Sequence, residues 1–283
     1  MSFSNYSLNF NGRLLNLSSP AVMAIVNATP DSFHTSCPTP DEAALAAMKA
    51  VEDGAAIIDV GGCSTRPGGD PATEEEEWQR LDASLTAIRR AVPDAAISVD
   101  TFRAQVARKA AEKFGVDIIN DISGGSDEMF ATVAELGVAY VLTHNAGGQY
   151  SASPSDNTPC DNEADYVASV MRFLEPRVAH LINFGVHDVI VDPGFGFGKT
   201  LEQNYALLRN LEVLHELDCP ILAGMSHKSM LSTLLGIETA QCGNATAVAN
   251  TIALMNGADI LRVHNTRYAV EAVKVFTKTF NSQ

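Results

Sequence analysis

The sequence predicts one (β/α)8 barrel that spans residues 1–283 as a single domain and begins with a β-hairpin. Three observations support this fold: apolar β-branched runs recur along the chain, helical periodicity follows each run, and no change in composition marks a linker. The runs lie at about 22–27, 55–61, 95–100, 117–122, 138–144, 188–192, 220–225 and 260–264. Strands that alternate with helices in this way are typical of a closed parallel barrel, and a doubly wound open sheet is the alternative.

The hairpin is predicted at residues 7–18. Leu8 and Phe10 precede Asn11-Gly12, and further leucines follow this pair. Asn-Gly is the favoured two-residue hairpin turn because both positions accept a positive φ. We expect the hairpin to form an edge lid ahead of the main fold.

Two helical stretches carry clear start signals. Residues 41–53 place apolar side chains on one stripe, and Asp41 can cap the first turn. That stripe comprises Ala44, Leu45, Met48 and Val51. Residues 73–91 begin with Thr73 and four glutamates, which is a capping-box pattern with acids at the positive end of the helix dipole. The glutamates therefore indicate a solvated first turn rather than a metal site.

Further helices are predicted at 163–183, 202–217, 243–256 and 266–280. Residues 146–161 are rich in Gly, Ser, Pro and Asp, and we expect them to form one long, mobile loop close to the functional site.

Composition and charge limit the possible partners. The formal net charge of −15 argues against broad binding to nucleic acid or anionic membranes, because both require a basic face. A small anionic substrate would need a local cluster of cations and helix N-termini. The five cysteines form no Cys-x-x-Cys pair, the start of the chain has no signal-peptide pattern, and no apolar run approaches about 18 residues. We therefore expect a cytoplasmic protein with reduced thiols and no membrane segment.

The stretch 187–199 indicates a binding site. Its β-branched run ends at Asp192, and glycines then alternate with phenylalanines before Lys199. Phenylalanines offer flat apolar walls, glycines let a ligand approach the backbone, and Asp192 is an acceptor for N–H donors. These features suit a planar, nitrogen-rich ring. A Gly-rich turn with a capping aspartate is the alternative interpretation.

Polar side chains follow all eight predicted strands, where the carboxyl ends of barrel strands meet. One group offers the mixed donors and acceptors that suit the edge of a fused heterocycle: Asp100, Asn120, Asp192 and Lys228. A second group donates to phosphate oxygens: Asn27, Arg66, Arg262 and His264. We expect a heterocycle deep in the barrel and a phosphate-like group near the first and last strands.

Motifs for covalent catalysis are absent from the sequence: there is no Gly-x-Ser-x-Gly, no His-Glu-x-x-His and no phosphate-binding loop. A reaction driven by stabilisation of a leaving group needs only positioning and charge. Mg²⁺ is the candidate metal, because it prefers carboxylates, amide oxygens and substrate phosphates.

Seven motifs occur in order between residues 22 and 280. They are NATPDSF at 27–33, GGCSTRPG at 61–68, SVDT at 98–101, NDISG at 120–124, DPGFGFGK at 192–199, SHKS at 226–229 and RVH at 262–264. Their residues and spacing resemble those of the dihydropteroate synthases of folate biosynthesis. The resemblance implies a (β/α)8 barrel that joins 4-aminobenzoate to 6-hydroxymethyl-7,8-dihydropterin diphosphate, releasing diphosphate and forming 7,8-dihydropteroate.

The resemblance also implies roles for individual residues. The pterin would bind to Asp100, Asn120, Asp192 and Lys228, and Thr65 would contact both pterin and phosphate. Diphosphate and Mg²⁺ would bind to Arg66, Arg262, His264 and Asn27, with Asn27 as the metal ligand. The aminobenzoate carboxylate would contact Ser229, and the ring pockets would be lined by Phe33, Pro67 and Phe197. Catalytic roles fall to Asp31, Lys228, Arg262 and His264, with Asp31 stabilising positive charge at the pterin methylene.

The chain departs from the usual family pattern at four positions and in the loop after Phe33, which lacks the usual glycines. His227 stands where arginine is usual, Thr143 and Asn145 flank His144 where methionine is usual, and Asn265 replaces an aspartate. These changes bear on aminobenzoate affinity and on the response to sulfonamide analogues. Two alternatives are a folate-dependent methyltransferase domain and a non-catalytic or altered-specificity pterin-binding paralogue. The resemblance further implies a homodimer, with which the apolar face of 243–256 is compatible.

Overall fold

The computed structural model describes residues 6–10, 12–29, 36–63, 72–147 and 162–280. In these ranges a hairpin precedes a parallel sheet of eight strands. The hairpin strands are β1 (Ser7–Phe10) and β2 (Arg13–Asn16). The sheet comprises β3 (Ala21–Asn27), β4 (Ile57–Gly61), β5 (Ala96–Asp100), β6 (Ile118–Asp121), β7 (Ala139–Thr143), β8 (Val189–Asp192), β9 (Leu222–Ala223) and β10 (Ile260–Val263).

The sheet closes into a barrel. Strands β3 to β8 pair in chain order, and β10 pairs in parallel with both β3 and β9. A parallel bridge between Val191 and Ile221 joins the segment of β8 to that of the short β9. The predicted (β/α)8 barrel is therefore confirmed, and the open sheet is excluded.

Helices follow the strands and surround the barrel. In the described ranges they are α1 (Pro40–Glu52), α2 (Glu74–Ala91), α3 (Ala104–Phe114), α4 (Asp127–Leu136), α5 (Glu163–Phe184), α6 (Leu201–Arg209), α7 (Ser229–Leu235), α8 (Gly243–Met255) and α9 (Thr266–Phe280). The helix predicted at 202–217 is divided, because α6 ends at Arg209 and a 3₁₀ segment, Leu211–Leu217, follows. Asn210 lies at the break, where its side-chain amide and its backbone N–H both donate to the carbonyl of Ala206. None of the described helices is both long and apolar enough to span a bilayer.

The start of α2 matches its prediction, but the start and the buried face of α1 do not. Thr73 and Glu76 form a reciprocal capping box at α2. At α1 the cap is Thr39 rather than Asp41. The predicted stripe is exposed on α1, with Leu45 at 64% and Met48 at 48% exposure. The buried stripe consists instead of Ala43, Ala47 and Ala50. Small side chains let a helix approach its neighbours closely, so packing overrides the apolar pattern here.

The hairpin covers the amino-terminal end of the barrel and is not an edge lid. Leu8, Phe10 and Leu17 are almost fully buried, and they pack with the inward-facing residues at the amino ends of the strands. These residues include Met23, Ile57, Ile118, Ile190, Leu222 and Ile260. A closed barrel has no lateral edge, so an apolar hairpin is buried best where it seals the open end of the interior.

Candidate active site

Polar side chains replace apolar ones at the carboxyl end of the barrel interior. On four strands the change occurs between two residues that share the inner face: Ile57 and Asp59 on β4, Ile118 and Asn120 on β6, Ile190 and Asp192 on β8, and Ile260 and Arg262 on β10. Asp100 ends β5 beside them. Since side chains alternate along a strand, these polar groups form one layer above the apolar layer.

Arg262 connects this polar layer. Its Nε donates to Oδ2 of Asp59 at 2.7 Å, and its Nη2 donates to Oδ2 of Asp100 at 2.5 Å. The side-chain amide of Asn120 donates to the same Asp59 oxygen at 3.1 Å. Four strands thus contribute to one hydrogen-bonded network. Arg262, assigned from the sequence to the phosphate group, lies between Asp100 of the expected pterin pocket and Asp59.

Burial and charge determine the ionisation of this network. Burial disfavours the charge of Arg262, but Asp59 and Asp100 more than offset that effect and raise its pKa above the usual value. Burial raises the pKa of Asp100 to about 7, although Arg262 opposes the shift. The carboxyl group of Asp100 therefore titrates near neutral pH, where it can change between acceptor and donor.

Sequence reasoning gave Asp59 no role, yet the structure places it at the centre of the network. Its side chain is fully buried, and Oδ1 has no hydrogen-bond partner among the described residues. A buried carboxylate oxygen without a partner is costly and is an acceptor available to a ligand. The available signal was a carboxylate inside an otherwise apolar strand, between Ile58 and Val60.

Asp192 and Lys228 form the second part of the polar layer. Asp192 Oδ1 accepts from the backbone N–H of Gly194 at 2.7 Å, which starts the turn after β8. Lys228 immediately precedes α7, and its Nζ donates to the carbonyl of Phe195 and lies 4.4 Å from the ring centroid of Phe197. Burial lowers the pKa of Lys228 to about 8, with Asp192 opposing. Burial raises the pKa of Asp192, with Lys228 opposing.

The turn after β8 packs directly on the loop after β7. Gly194 has a φ of +68°, and a Cβ at this position would lie 2.0 Å from the carbonyl oxygen of His144. A side chain is therefore excluded on both conformational and steric grounds. The glycines of this stretch permit close contact between loops, in addition to the ligand approach expected from the sequence.

Asn27 and His264 border the polar layer on the side of β3 and β10. The Oδ1 atom of Asn27 would lie 3.9 Å from a Cβ on Gly61 of the adjacent strand. His264 follows β10, where its backbone N–H donates to Ser226 Oγ at 3.2 Å and its Nδ1 lies 3.0 Å from the same oxygen.

A cavity of about 490 Å³ adjoins His264 between α1 and α9. Ser229 is exposed at the first position of α7.

Of the residues that depart from the family pattern, Thr143 ends strand β7, and the others lie in loops around this layer. His227 has a φ of 53°, its Nδ1 donates to the carbonyl of Thr239 at 2.9 Å, and its ring lies edge-on to that of His264 at 5.8 Å. Asn145 donates to the carbonyl of Ile122 at 3.0 Å. His227 thus contributes an imidazole, rather than a guanidinium, beside His264.

Several predictions fall outside the described residues. They concern Asp31, Phe33, Thr65, Arg66, Pro67 and the part of the 146–161 loop beyond Gly147. These assignments stay predictions. Among the described residues, no three His, Cys, Asp or Glu side chains are grouped to hold a metal ion.

Comparisons with known proteins agree with this geometry. The model of the pterin binding enzyme family matches residues 23–264. The chain is 38% identical over 280 residues to a dihydropteroate synthase of Escherichia coli K12, with 96% of each chain covered. A dihydropteroate synthase of Haemophilus influenzae is 36% identical, covering 96% of this chain and 98% of that protein.

Solved structures extend the agreement to three dimensions. Yersinia pestis dihydropteroate synthase in a sulfonamide drug complex has a TM-score of 0.89 at 35% identity, covering 98% of this chain and 100% of that one. Xanthomonas albilineans dihydropteroate synthase with 4-aminobenzoic acid has a TM-score of 0.85 at 35% identity, covering 99% and 100%. This chain therefore belongs to the pterin-binding enzyme family, among the dihydropteroate synthases.

Proposed function

We propose that this protein joins 6-hydroxymethyl-7,8-dihydropterin diphosphate to 4-aminobenzoate in folate biosynthesis, forming 7,8-dihydropteroate and diphosphate. The observation that carries the proposal is the polar layer at the carboxyl end of the barrel, in which Arg262 joins Asp59 and Asp100 beside Asp192 and Lys228. Family membership supports the same transferase reaction, as do the names of the relatives and a related structure with pteroic acid from Coxiella burnetii.

The polar layer suits the pterin. A fused pyrimidine ring presents N–H donors on one edge and a carbonyl acceptor beside them, so it needs carboxylates and a cation on the same wall. Asp100, Asp192 and the Asp59 oxygen that has no partner among the described residues supply acceptors, and Lys228 supplies donors. Asn120 is fixed by Asp59, which leaves its amide oxygen directed away from that bond.

The reaction requires stabilisation of a leaving group rather than a strong base. The lone pair of the aniline nitrogen forms the new C–N bond at the pterin methylene, the C–O bond to diphosphate breaks, and the nitrogen loses a proton to solvent. Negative charge grows on the departing oxygen, where Arg262 and His264, together with the predicted contribution of Arg66, would stabilise it. Asp31 and Thr65 are assigned to the same step as predictions.

The site suits a Mg²⁺ ion that would be coordinated mainly by the substrate's diphosphate oxygens. Asn27 offers an amide oxygen at the mouth, and Mg²⁺ commonly takes few protein ligands and completes its shell with phosphate oxygens and water. When bound, it would neutralise charge on the diphosphate.

The aminobenzoate would bind nearer the outside of the mouth. Phe197 offers an aromatic wall beside Lys228, and the exposed Ser229 offers a hydroxyl to the carboxylate. Phe33 and Pro67 are predicted to complete this pocket. A related Xanthomonas structure contains 4-aminobenzoic acid, which supports this compound as the second substrate.

We also propose that the chain acts in the cytoplasm as a single-domain protomer of a homodimer. Val248, Ile252 and Met255 expose an apolar stripe along α8, and Leu234 and Leu235 are exposed at the end of α7. Two copies of such a face bury apolar area when they associate. Sedimentation of the purified chain as a monomer at micromolar concentration would contradict the dimer.

Calorimetry combined with product analysis tests the reaction. Pterin diphosphate should bind first, 4-aminobenzoate should bind only afterwards, and dihydropteroate and diphosphate should appear in equal amounts. Pterin binding without a second event would instead identify a non-catalytic paralogue. Methyl transfer from methyltetrahydrofolate to a cobamide would support the methyltransferase alternative and end the proposal.

A further inference from the structure

Lys199 is a cation at the mouth of the barrel that has no part in the proposed reaction. It follows the turn after β8 and precedes α6. Its Nζ donates to three carbonyl oxygens, those of Gly194 at 2.8 Å, Phe197 at 3.2 Å and His144 at 3.0 Å. Two of these carbonyls belong to the turn after β8 and the third to the loop after β7. One side chain therefore joins two neighbouring active-site loops.

The three carbonyl acceptors match the charged form of Lys199. An ammonium group has three N–H donors, which matches the three carbonyl acceptors, whereas a neutral amine has only two. Burial lowers the pKa of Lys199 well below its usual value, and Asp192 opposes the shift. Three charge-assisted hydrogen bonds offset the loss of water around the ammonium group.

The joined turn carries groups that face Lys228. The carbonyl of Phe195 accepts from the Lys228 ammonium, and the Phe197 ring lies against the same group. Asn204 of α6 supports the turn from below, because its Oδ1 accepts from the Gly196 N–H at 2.7 Å and its amide donates to the carbonyl of Thr200 at 2.7 Å. These side chains stabilise the turn in addition to its own backbone hydrogen bond, from the N–H of Phe197 to the carbonyl of Gly194 at 3.1 Å.

We propose that Lys199 is a positioning residue for the aminobenzoate end of the site, and that it acts by keeping Phe197 against Lys228. The effect should be selective, because three of the four pterin-binding residues, Asp100, Asn120 and Asp192, lie on strands β5, β6 and β8 rather than in the turn. The inference rests on the proposed function, in which Phe197 lines the aminobenzoate pocket.

Lys199→Met tests the proposal, since methionine keeps most of the side-chain length and removes all three donors. We expect the KM for 4-aminobenzoate to rise by about tenfold, as for a displaced binding wall, with kcat and the Kd for pterin diphosphate changed less than about threefold. Lys199→Arg retains charged donors and should recover part of the affinity. Lys113→Met, at the far end of α3 where Lys113 pairs with Asp82, is the matched control and should behave as the wild type.

Hydrogen exchange provides a readout that does not depend on turnover. Peptides that cover 193–200 should exchange faster in Lys199→Met and unchanged in Lys113→Met. Unchanged KM and exchange would overturn the proposal, and so would parallel losses of kcat, pterin affinity and folded protein, which indicate a purely structural role. If the wild type forms no dihydropteroate, the proposed function fails. In that case, the role of Lys199 is decided by two comparisons between Lys199→Met and the wild type: hydrogen exchange of the 193–200 peptides, and calorimetric binding of 4-aminobenzoate to the pterin-loaded protein.

Discussion

The two ends of the barrel interior differ in chemistry although the same strands build both. At the amino ends, inward-facing residues such as Ile57 and Ile260 pack under the hairpin. Two positions later on the same faces stand Asp59 and Arg262, which are joined by a hydrogen bond. Two residues along a strand correspond to about 6.6 Å.

This short distance separates a region that stabilises the fold from one that binds ligand. Burial of apolar side chains at the amino-terminal end of the barrel is favourable by itself. Burial of each charge in the polar layer carries a desolvation free energy that only a partner of opposite charge can offset. The polar layer is therefore expected to contribute little to stability and much to activity. The apolar amino-terminal end of the barrel is expected to contribute much to stability and little to activity. Substitutions at the two ends test this separation.

The largest effect is expected for Lys228→Ala at the polar end. Asp192 loses its neighbouring cation and the pterin loses a donor, so turnover should fall by about a thousandfold or more. The thermal midpoint should move by only a few degrees, because the ammonium is a costly group to bury. Steady-state kinetics and a thermal melt measure both quantities. Lys109→Ala on α3, outside the barrel, is the control, and near-normal turnover of Lys228→Ala would contradict the assignment of Lys228.

A smaller effect with the opposite distribution is expected for Phe10→Ala at the hairpin. Phe10 is 3% exposed, so its truncation should lower the free energy of unfolding by about 3 kcal/mol. The kcat/KM of the folded enzyme should change less than about twofold, since the hairpin lies at the other end of the barrel. Leu14→Ala is the matched control on the same hairpin, because Leu14 is 69% exposed and should cost less than about 0.5 kcal/mol. Denaturant unfolding and steady-state kinetics of the same preparation measure the unfolding free energy and kcat/KM. A large loss of kcat/KM in Phe10→Ala would show that the two ends of the barrel are coupled.

The smallest effect concerns pH and refers only to the polar end. Asp100 must be ionised to accept from the pterin, and its pKa of about 7 predicts that kcat/KM for pterin diphosphate rises as pH increases through 7. Lys228 must be protonated, and its pKa of about 8 predicts that kcat/KM falls as pH increases through 8. The result is a narrow bell with limbs of about tenfold per pH unit. The difference in unfolding free energy between Phe10→Ala and the wild type should not show this bell-shaped dependence on pH. A flat kcat/KM profile between pH 6 and 9 would contradict the roles assigned to both Asp100 and Lys228.

Local pattern was sufficient for the barrel and for much of the site. Strand and helix periodicity depends on residues within one turn or one pleat, and the carboxyl ends of parallel strands necessarily meet at one mouth. Asp100, Asn120, Asp192 and Lys228 could therefore be assigned to one site from their positions at strand ends alone.

Tertiary structure decided which groups pair and which faces are buried. Asp59 stands inside its strand, and it becomes the partner of Arg262 only because a single strand, β3, separates β4 from β10 in the closed barrel. The alanine face of α1 is buried because of what packs beside it, although Leu45 and Met48 are more apolar. Lys199 acquires its third acceptor, the carbonyl of His144, only when the loops after β7 and β8 meet. Each of these contacts joins residues distant in the chain, and a linear pattern carries no distance between them.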